Sequence, residues 1–318
     1  GIALTDRYML LSADHTVVMS GSSIERQSLS TPRYEYGGDD HVFVELAESM
    51  SFTANFKAQA ITKEVRARDI PGVVEVAPSN ASYLLHFDPG VVHPDALIDR
   101  LRGIEDDIDL TAYTWEARVL DIPVLYDDPW TRETLMQFRD RHQDPDATDL
   151  EYSARINGFS GPEEFIEAHA GAPHMVTMVG FVPGLPWTFQ MVPRDRQIEV
   201  PKYVQPRTET PSRAVGFGGA FTAIYSVPGA GGYQLFGRTP VEGLDVDQQL
   251  PAFADSMVLP NPGDIINFRR IDREEYDHIR GAVEANDYEY DIGRIDFEPE
   301  EFFEHPSRYT DQITEVLD

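Results

Sequence analysis

The chain has 318 residues, no cysteine, and 55 acidic residues against 26 basic ones, a formal charge of −29. That length accommodates two compact domains with tails, each able to bury its own core without disulfide or metal staples. The missing cysteines exclude a thiol nucleophile, a thiolate zinc site and a disulfide framework, and the charge makes nucleic acid and anionic membrane poor partners.

Lys57, Lys63 and Lys202 are the only lysines, and the acidic excess reads first as a solvated surface and second as a face for a basic partner. No stretch approaches the roughly 18 uninterrupted apolar residues of a membrane helix, and the first residues show neither a basic region nor an apolar run, so a cytoplasmic protein is the expectation.

Residues 1–33, rich in Ser and Thr without a sustained period, read as an N-terminal extension. A small α+β domain follows at 34–115. Its expected elements are a strand at 41–45, a helix from Phe52 to Arg68 ended by Asp69-Ile70-Pro71-Gly72, strands at Val73–Val76 and Tyr83–Phe87, and a helix opened by Pro94. Residues 118–126 then read as a strand, in which Pro123 suggests a sheet edge or an entry into a new sheet. Helices are expected at about 131–141, 149–157 and 162–170.

From His174 onward, short apolar runs (175–181, 220–227, 233–236, 265–268) alternate with Pro/Gly clusters, the grammar of a closed or nearly closed β-barrel. The barrel domain is placed at 116–275, and 276–318 reads as an acidic C-terminal helix and tail lying on the surface or facing a partner.

Several residue patterns suggest chemistry, each beside a plainer reading. Gly180-Phe181-Val182-Pro183-Gly184-Leu185-Pro186 fixes a tight loop that serves either as an oxyanion-type backbone site or as a barrel corner. Arg238, after the glycine-rich approach 229–237, suits a carboxylate, phosphate or bicarbonate-derived group, or else a salt bridge. Arg207 carries the same two readings, and Lys202 is a further anion ligand or a solvated lysine. His169, near His174, is either a general base or a helix-terminal histidine satisfying carbonyls. The pair lacks a third ligand at recognisable spacing and HExxH is absent, so no metal is expected; a P-loop ending is absent as well.

In order, 180–186, Pro206-Arg207, 231–240 and Pro262-Gly263-Asp264-Ile265-Ile266-Asn267-Phe268 resemble the signatures of the family of B-type 5-oxoprolinase subunits, also called allophanate hydrolase subunit 1, and the likeness spans roughly 34–270. The resemblance implies a cyclophilin-like barrel after a small α+β domain, and a C-type carboxyltransferase partner protein with a related barrel of its own. It further implies a small amide, lactam or urea-like substrate. ATP or carboxybiotin would be supplied through partner chains, either a biotin carboxylase and biotin carrier or a third lactam-utilisation protein. No biotinylation site is present in this sequence.

On that basis His169 and Arg238 are the catalytic candidates, and Phe181, Pro183, Gly184, Lys202, Arg207, Phe221, Thr222, Tyr225 and Thr239 the substrate-binding ones. Two departures stand out. Thr210-Pro211-Ser212-Arg213-Ala214 replaces Val-Pro-Ala-Gly-Ser, and Phe221 replaces the Gln of Gln-Thr-Gly-Ile-Tyr-Pro, removing an amide from a pocket wall. Relatives described as inhibitors of a sporulation kinase keep a non-catalytic binding or regulatory module as the alternative, while a prolyl isomerase follows from fold likeness alone.

Overall fold

A computed structural model describes residues 24, 26–29 and 31–317; the expected N-terminal extension lies largely outside the described residues. The first layer is a four-stranded antiparallel sheet in the order β1 (Arg33–Tyr36), β2 (His41–Glu45), β4 (Ser82–Phe87), β3 (Val73–Pro78). Helices α1 (Phe52–Ala67) and α2 (Pro94–Asp107) cover it. Ser51 caps α1 by accepting the Ala54 N–H at 3.1 Å, and Pro94 stands in the first turn of α2, where its missing N–H costs nothing. Val42, Val44, Tyr83, Leu85 and Phe87 alternate inward against Ile61, Val65, Leu97 and Leu101, the period-2 face of a sheet meeting two helical stripes.

The second unit is a closed barrel. Around it run β5 (Trp115–Tyr126), β12 (Gln234–Arg238), β9 (Ala214–Gly218), β10 (Phe221–Ile224), β7 (Pro186–Gln190), β6 (His174–Val179) and β13 (Ile265–Arg270), the last returning to β5 as a parallel neighbour. Closure leaves no free edge among these seven strands. A short ribbon, β8 (Arg207–Thr210) with β11 (Gly229–Gly231), lies beside it. Helices α3 (Pro129–Gln137), α4 (Asp149–Ile156), α5 (Pro162–Ala170) and α6 (Arg273–Glu284) pack around the barrel, whose interior is filled by Val124, Phe165, Val176, Phe217, Phe236 and Phe268.

Two expectations need correction. Strand β5 is not an edge: it pairs with β13 on one side, and on the other with β14 (Ile292–Phe297) up to Leu120 and with β12 from Leu125. Pro123 falls in the gap between those last two partners. The neighbouring Val124 turns its carbonyl towards the β13 side, accepting from Ile271 N at 3.0 Å. Alternation therefore points the N–H-less Pro123 at the gap, where no ladder bond is lost.

The C-terminal stretch also carries more than a helix and a surface tail. After α6, strand β14 joins β5, and α7 (Pro299–Glu304) and α8 (Pro306–Leu317) follow. Phe297, Phe302, Phe303, Tyr309 and Ile313 are buried with Phe52 and Phe56 of α1 in one aromatic cluster between the two units. Buried amides fix the same junction, Asn55 Nδ2 donating to Thr177 O and Gln59 Nε2 to Val176 O on β6, each at 3.4 Å.

Candidate functional site

The barrel wall sorts the candidate residues by face. On β10, Thr222 points inward and Phe221 and Ala223 outward, as strand alternation requires. Inside, the ring of His169, in the last turn of α5, shares one hydrogen bond with the Tyr126 hydroxyl and another with Thr222 Oγ1, each 2.8 Å. His174 lies 4.9 Å away ring to ring, and Phe268 5.1 Å. Burial drives the His169 pKa down to about 3, so the imidazole is neutral, with one nitrogen donating and the other accepting.

Sealed in this way, His169 has no path to a substrate. The general-base expectation gives way to a core histidine, and Thr222 is its partner, not a pocket residue.

Outside, the same strands present a different surface. Trp187 stands opposite Ala223 across β7 and β10, and Phe221 lies between Trp187 (5.7 Å) and Phe189 (5.5 Å). Tyr233 packs over Gly218 and meets Trp187 edge to face at 5.6 Å; a Cβ at Gly218 would collide with the Tyr233 ring, so only glycine leaves room for it. Residues 200–206 cross this face as a strap, held by Val200 pairing with Gly219 and by Tyr203 N donating to Gly232 O at 2.7 Å. From the strap the Lys202 ammonium sits over both rings, 5.2 Å from Tyr233 and 5.9 Å from Trp187.

Beneath the aromatic layer Arg207 is fully buried, its guanidinium 4.5 Å over the Tyr203 ring and its Nε donating to Thr210 Oγ1 at 3.3 Å. Among the described residues the buried Trp187 Nε1 and Tyr233 hydroxyl find no acceptor, and the Arg207 guanidinium has only the hydroxyls of Tyr203 and Tyr225 beside its terminal nitrogens. The hydroxyls of Tyr203 and Tyr225 and the Asp149 carboxylate lie close enough to feel the Arg207 charge. Asp149 is itself occupied, accepting from Leu235 N and from Tyr203 OH at 2.6 Å each, with His142 Nε2 at 3.3 Å. Burial pushes its carboxyl up, and those donors together with Arg207 pull it back.

Four of the expected residues therefore meet on one outer face: Lys202, Arg207, Phe221 and Tyr225. Its border is the 180–186 loop, whose Val182 and Leu185 pack on Tyr225, Tyr233 and Leu235. Pro183 stays exposed while its carbonyl accepts from Ser226 Oγ at 2.5 Å, and Phe181, at φ 78°, is 68% exposed. Gly184 (φ 73°) packs on Gly243 and Leu244, where a Cβ would come within 2.9 Å of both, so it is a barrel corner and not a substrate contact.

Arg238 and Thr239 belong elsewhere. Arg238 reaches the Trp130 ring on α3 at 5.1 Å, and Thr239 is buried, its N–H donating to Arg213 O at 3.0 Å. The Pro262-Gly263-Asp264 signature is structural: buried Asp264 accepts from Arg118 Nε at 3.0 Å and so ties β13 to β5.

The residues that the sequence alone did not single out are Trp187 and Tyr233. Their signal was the pair Gly216 and Gly218 on a strand, which vacate space on the outer side only. Among the described residues no group of three or more His, Asp or Glu side chains is placed to hold a metal ion, and no helix is long and apolar enough to cross a membrane.

Residues 32–254 match the family model described as the carboxyltransferase domain, subdomains C and D. The B-type subunit of the Bacillus subtilis (strain 168) 5-oxoprolinase is 27% identical over 257 residues, covering 77% of this chain and 96% of that protein. The urea amidolyase of Saccharomyces cerevisiae is 27% identical over 320 residues, covering 97% of this chain but 17% of its own length. Among solved structures, the Kluyveromyces lactis urea carboxylase superposes with a TM-score of 0.74 at 23% identity, over 90% of this chain and 26% of that one, a likeness of fold. With 32–254 matched and the closed barrel in place, the chain belongs to the carboxyltransferase-domain family, subdomains C and D.

Proposed function

We propose that this chain is the B-type part of an assembly that processes a small amide, lactam or urea-like compound, and that the outer face around Lys202 and Arg207 receives that compound. The reading draws on relatives named as the B-type part of 5-oxoprolinase and as urea amidolyase. One observation carries it: the donors of Trp187 and Tyr233 are buried, lack acceptors among the described residues, and lie under a single lysine, with the buried Arg207 as a second cation on the same face.

Buried donors without partners cost roughly 1–3 kcal/mol each, and a carbonyl oxygen entering beneath Lys202 would relieve that cost. An amide nitrogen is a poor nucleophile, so such reactions draw on ATP, through carboxybiotin or through phosphorylation of the amide oxygen. Negative charge develops on that oxygen as the N–H proton is removed, before the nitrogen attacks carboxybiotin or the oxygen takes the phosphoryl group. The indole N–H, the phenol O–H and the field of Arg207 are aimed to stabilise it, and more strongly in the transition state than in the bound amide. Because His169 is sealed, the chain orients and polarises while a partner chain moves the proton and supplies ATP or carboxybiotin.

The test is to co-purify the chain with a C-type partner and with a third lactam-utilisation protein or a biotin carboxylase, then follow ATP hydrolysis over a panel of lactams and ureas. Turnover with one member is expected; none with any partner overturns the reading. That outcome would favour a non-catalytic binding module, for which Phe221 speaks, since an apolar ring stands on this face where the family carries an amide.

A further inference from the structure

A second group of cations lies at the turn between β8 and β9. Arg213 adopts φ 65°, the left-handed region that a long side chain enters at a cost of about 1–3 kcal/mol. The turn is held there by three bonds: Arg213 N to Tyr225 O at 2.5 Å, Thr239 N to Arg213 O at 3.0 Å, and Arg238 Nε to Ser212 O at 3.1 Å. The strained backbone delivers a guanidinium that is 9% exposed as a residue and whose Nε and Nη1 have no hydrogen-bond acceptor among the described residues.

The surroundings leave positive charge over. The nearest carboxylate to Arg213 is Glu242, 3.6 Å from Nη1, and Arg280 already holds the same oxygen at 2.5 Å. Asp128 is spent on α3, accepting from Trp130 N and Thr131 N at 2.9 Å each and from the Thr131 hydroxyl. Arg273 pairs with Asp277 and Arg280 also with Glu284. Arg238 has no carboxylate within 4.0 Å among the described residues, and its terminal nitrogens donate to none of their acceptors; instead it lies over Trp130, which Arg273 also approaches at 4.8 Å. Burial works against the Arg213 cation, Glu242 opposes that, and Arg238 and Arg280 add to it. In a chain of charge −29, carboxylates were plentiful, yet none of the described ones fills this place.

We propose that Arg213 and Arg238 form a receptor for the oxyanion group, phosphate or carboxylate, of a small molecule, with Arg280 and Trp130 at its rim. Planar guanidinium groups with free N–H donors match such oxygens. The site is separate from the Lys202 face: neither arginine hydrogen-bonds to Trp187, Lys202 or Tyr233. It also differs from a simple Arg213–Glu242 brace, which would leave Arg238 without a role and would gain nothing from an added anion.

The experiment uses the full chain alone, so its failure leaves the amide-processing proposal untouched. Thermal unfolding and tryptophan emission are followed against inorganic phosphate, acetate and sodium chloride at matched ionic strength. A saturable rise in Tm with phosphate or with acetate, but not with chloride, is expected, together with a change in tryptophan emission that Trp130→Phe removes. The responding anion tells a phosphoryl group from a carboxylate.

Arg213→Gly suits the left-handed backbone, so it keeps or raises the anion-free Tm and abolishes the saturable rise. Arg238→Gln weakens anion affinity by about tenfold or more, the loss for one charge-assisted hydrogen-bonding group. An equal response to chloride, or a saturable rise that survives in Arg213→Gly, overturns the assignment.

Discussion

On the two sides of strand β10 the barrel wall handles polar groups in opposite ways. Inward, Thr222, His169 and Tyr126 are joined by two hydrogen bonds of 2.8 Å each. Outward, across from Ala223 one residue along, the Trp187 N–H and the neighbouring Tyr233 hydroxyl are just as hidden from water yet meet no acceptor among the described residues. The interior set is enclosed among Phe217, Phe236 and Phe268, and its histidine is for that reason out of reach of a substrate. The exterior set is unfinished without something added, and that favours a recognition surface on the outside of the barrel.

Interior substitutions should therefore register mainly as stability and exterior ones mainly as function. The largest stability effect is expected for Phe236→Ala, which empties part of the packed centre beside Phe165 and Phe217. Urea unfolding should show a loss of about 3–5 kcal/mol, and a loss below about 1 kcal/mol would contradict a tightly filled interior.

Next comes His169→Phe, which orphans the hydroxyls of Tyr126 and Thr222 and should cost about 2 kcal/mol at neutral pH. It also removes a titration. The folded-state pKa of His169 is depressed to about 3, below its unfolded value of about 6.5, so the unfolded chain binds the extra proton between those two values. The associated stability is fully present above pH 6.5 and drains away as pH falls towards 3, by up to about 1.4 kcal/mol per pH unit. Wild type should thus lose stability faster than the variant on acidification across that window; parallel curves would mean that the ring titrates normally and is not sealed.

On the exterior, Trp187→Phe deletes the N–H that has no partner among the described residues, together with part of a half-buried ring that packs on Phe221 and Tyr233. Stability should fall by about 1 kcal/mol for the lost packing, while turnover of the assembled complex drops about tenfold, the scale of one lost donor to a charged oxygen. Unchanged turnover would detach Trp187 from the substrate. The smallest change is expected for Lys202→Met, which keeps the alkyl cover over Trp187 and Tyr233 and forfeits a cation–π contact of about 0.5–1 kcal/mol. Its mark should be a raised KM at constant kcat, and a changed kcat instead would place the ammonium at the reacting atoms.

The α+β class and the closed barrel could be read from the chain because local signals agree with the global outcome. Pro94 and Pro162 open helices, Val42, Val44, Leu85 and Phe87 alternate, and short apolar runs follow His174 between Pro/Gly clusters. Strand β14 was hidden because its inward residues Ile295 and Phe297 alternate with Arg294 and Asp296 in an acidic stretch that reads as solvated. Pro123 misled because a proline inside a strand reports only that one N–H is unwanted, and the reason here is a gap between two non-local partners.

For the site, Lys202, Arg207, Phe221 and Tyr225 were accessible from motif and residue type. Trp187 and Tyr233 were not, since their importance rests on which donors lack acceptors after folding. His169 was found and its role misjudged: helix-end position is visible in sequence, but the inward turn of that end is set by packing against Phe268 and Phe236.

Strand β5, 12 residues long, completes its pairing only with segments at 234–238, 265–270 and 292–297. During synthesis this strand leaves the ribosome well before any of them, so its apolar run waits unpaired until the chain has been extended through residue 297. Closure of the barrel is consequently a late event dominated by distant contacts, the kind that folds slowly and exposes sticky intermediates. A nascent chain arrested before residue 265 would carry an open cylinder, and chaperone dependence during translation should peak over that interval and subside once 297 has emerged.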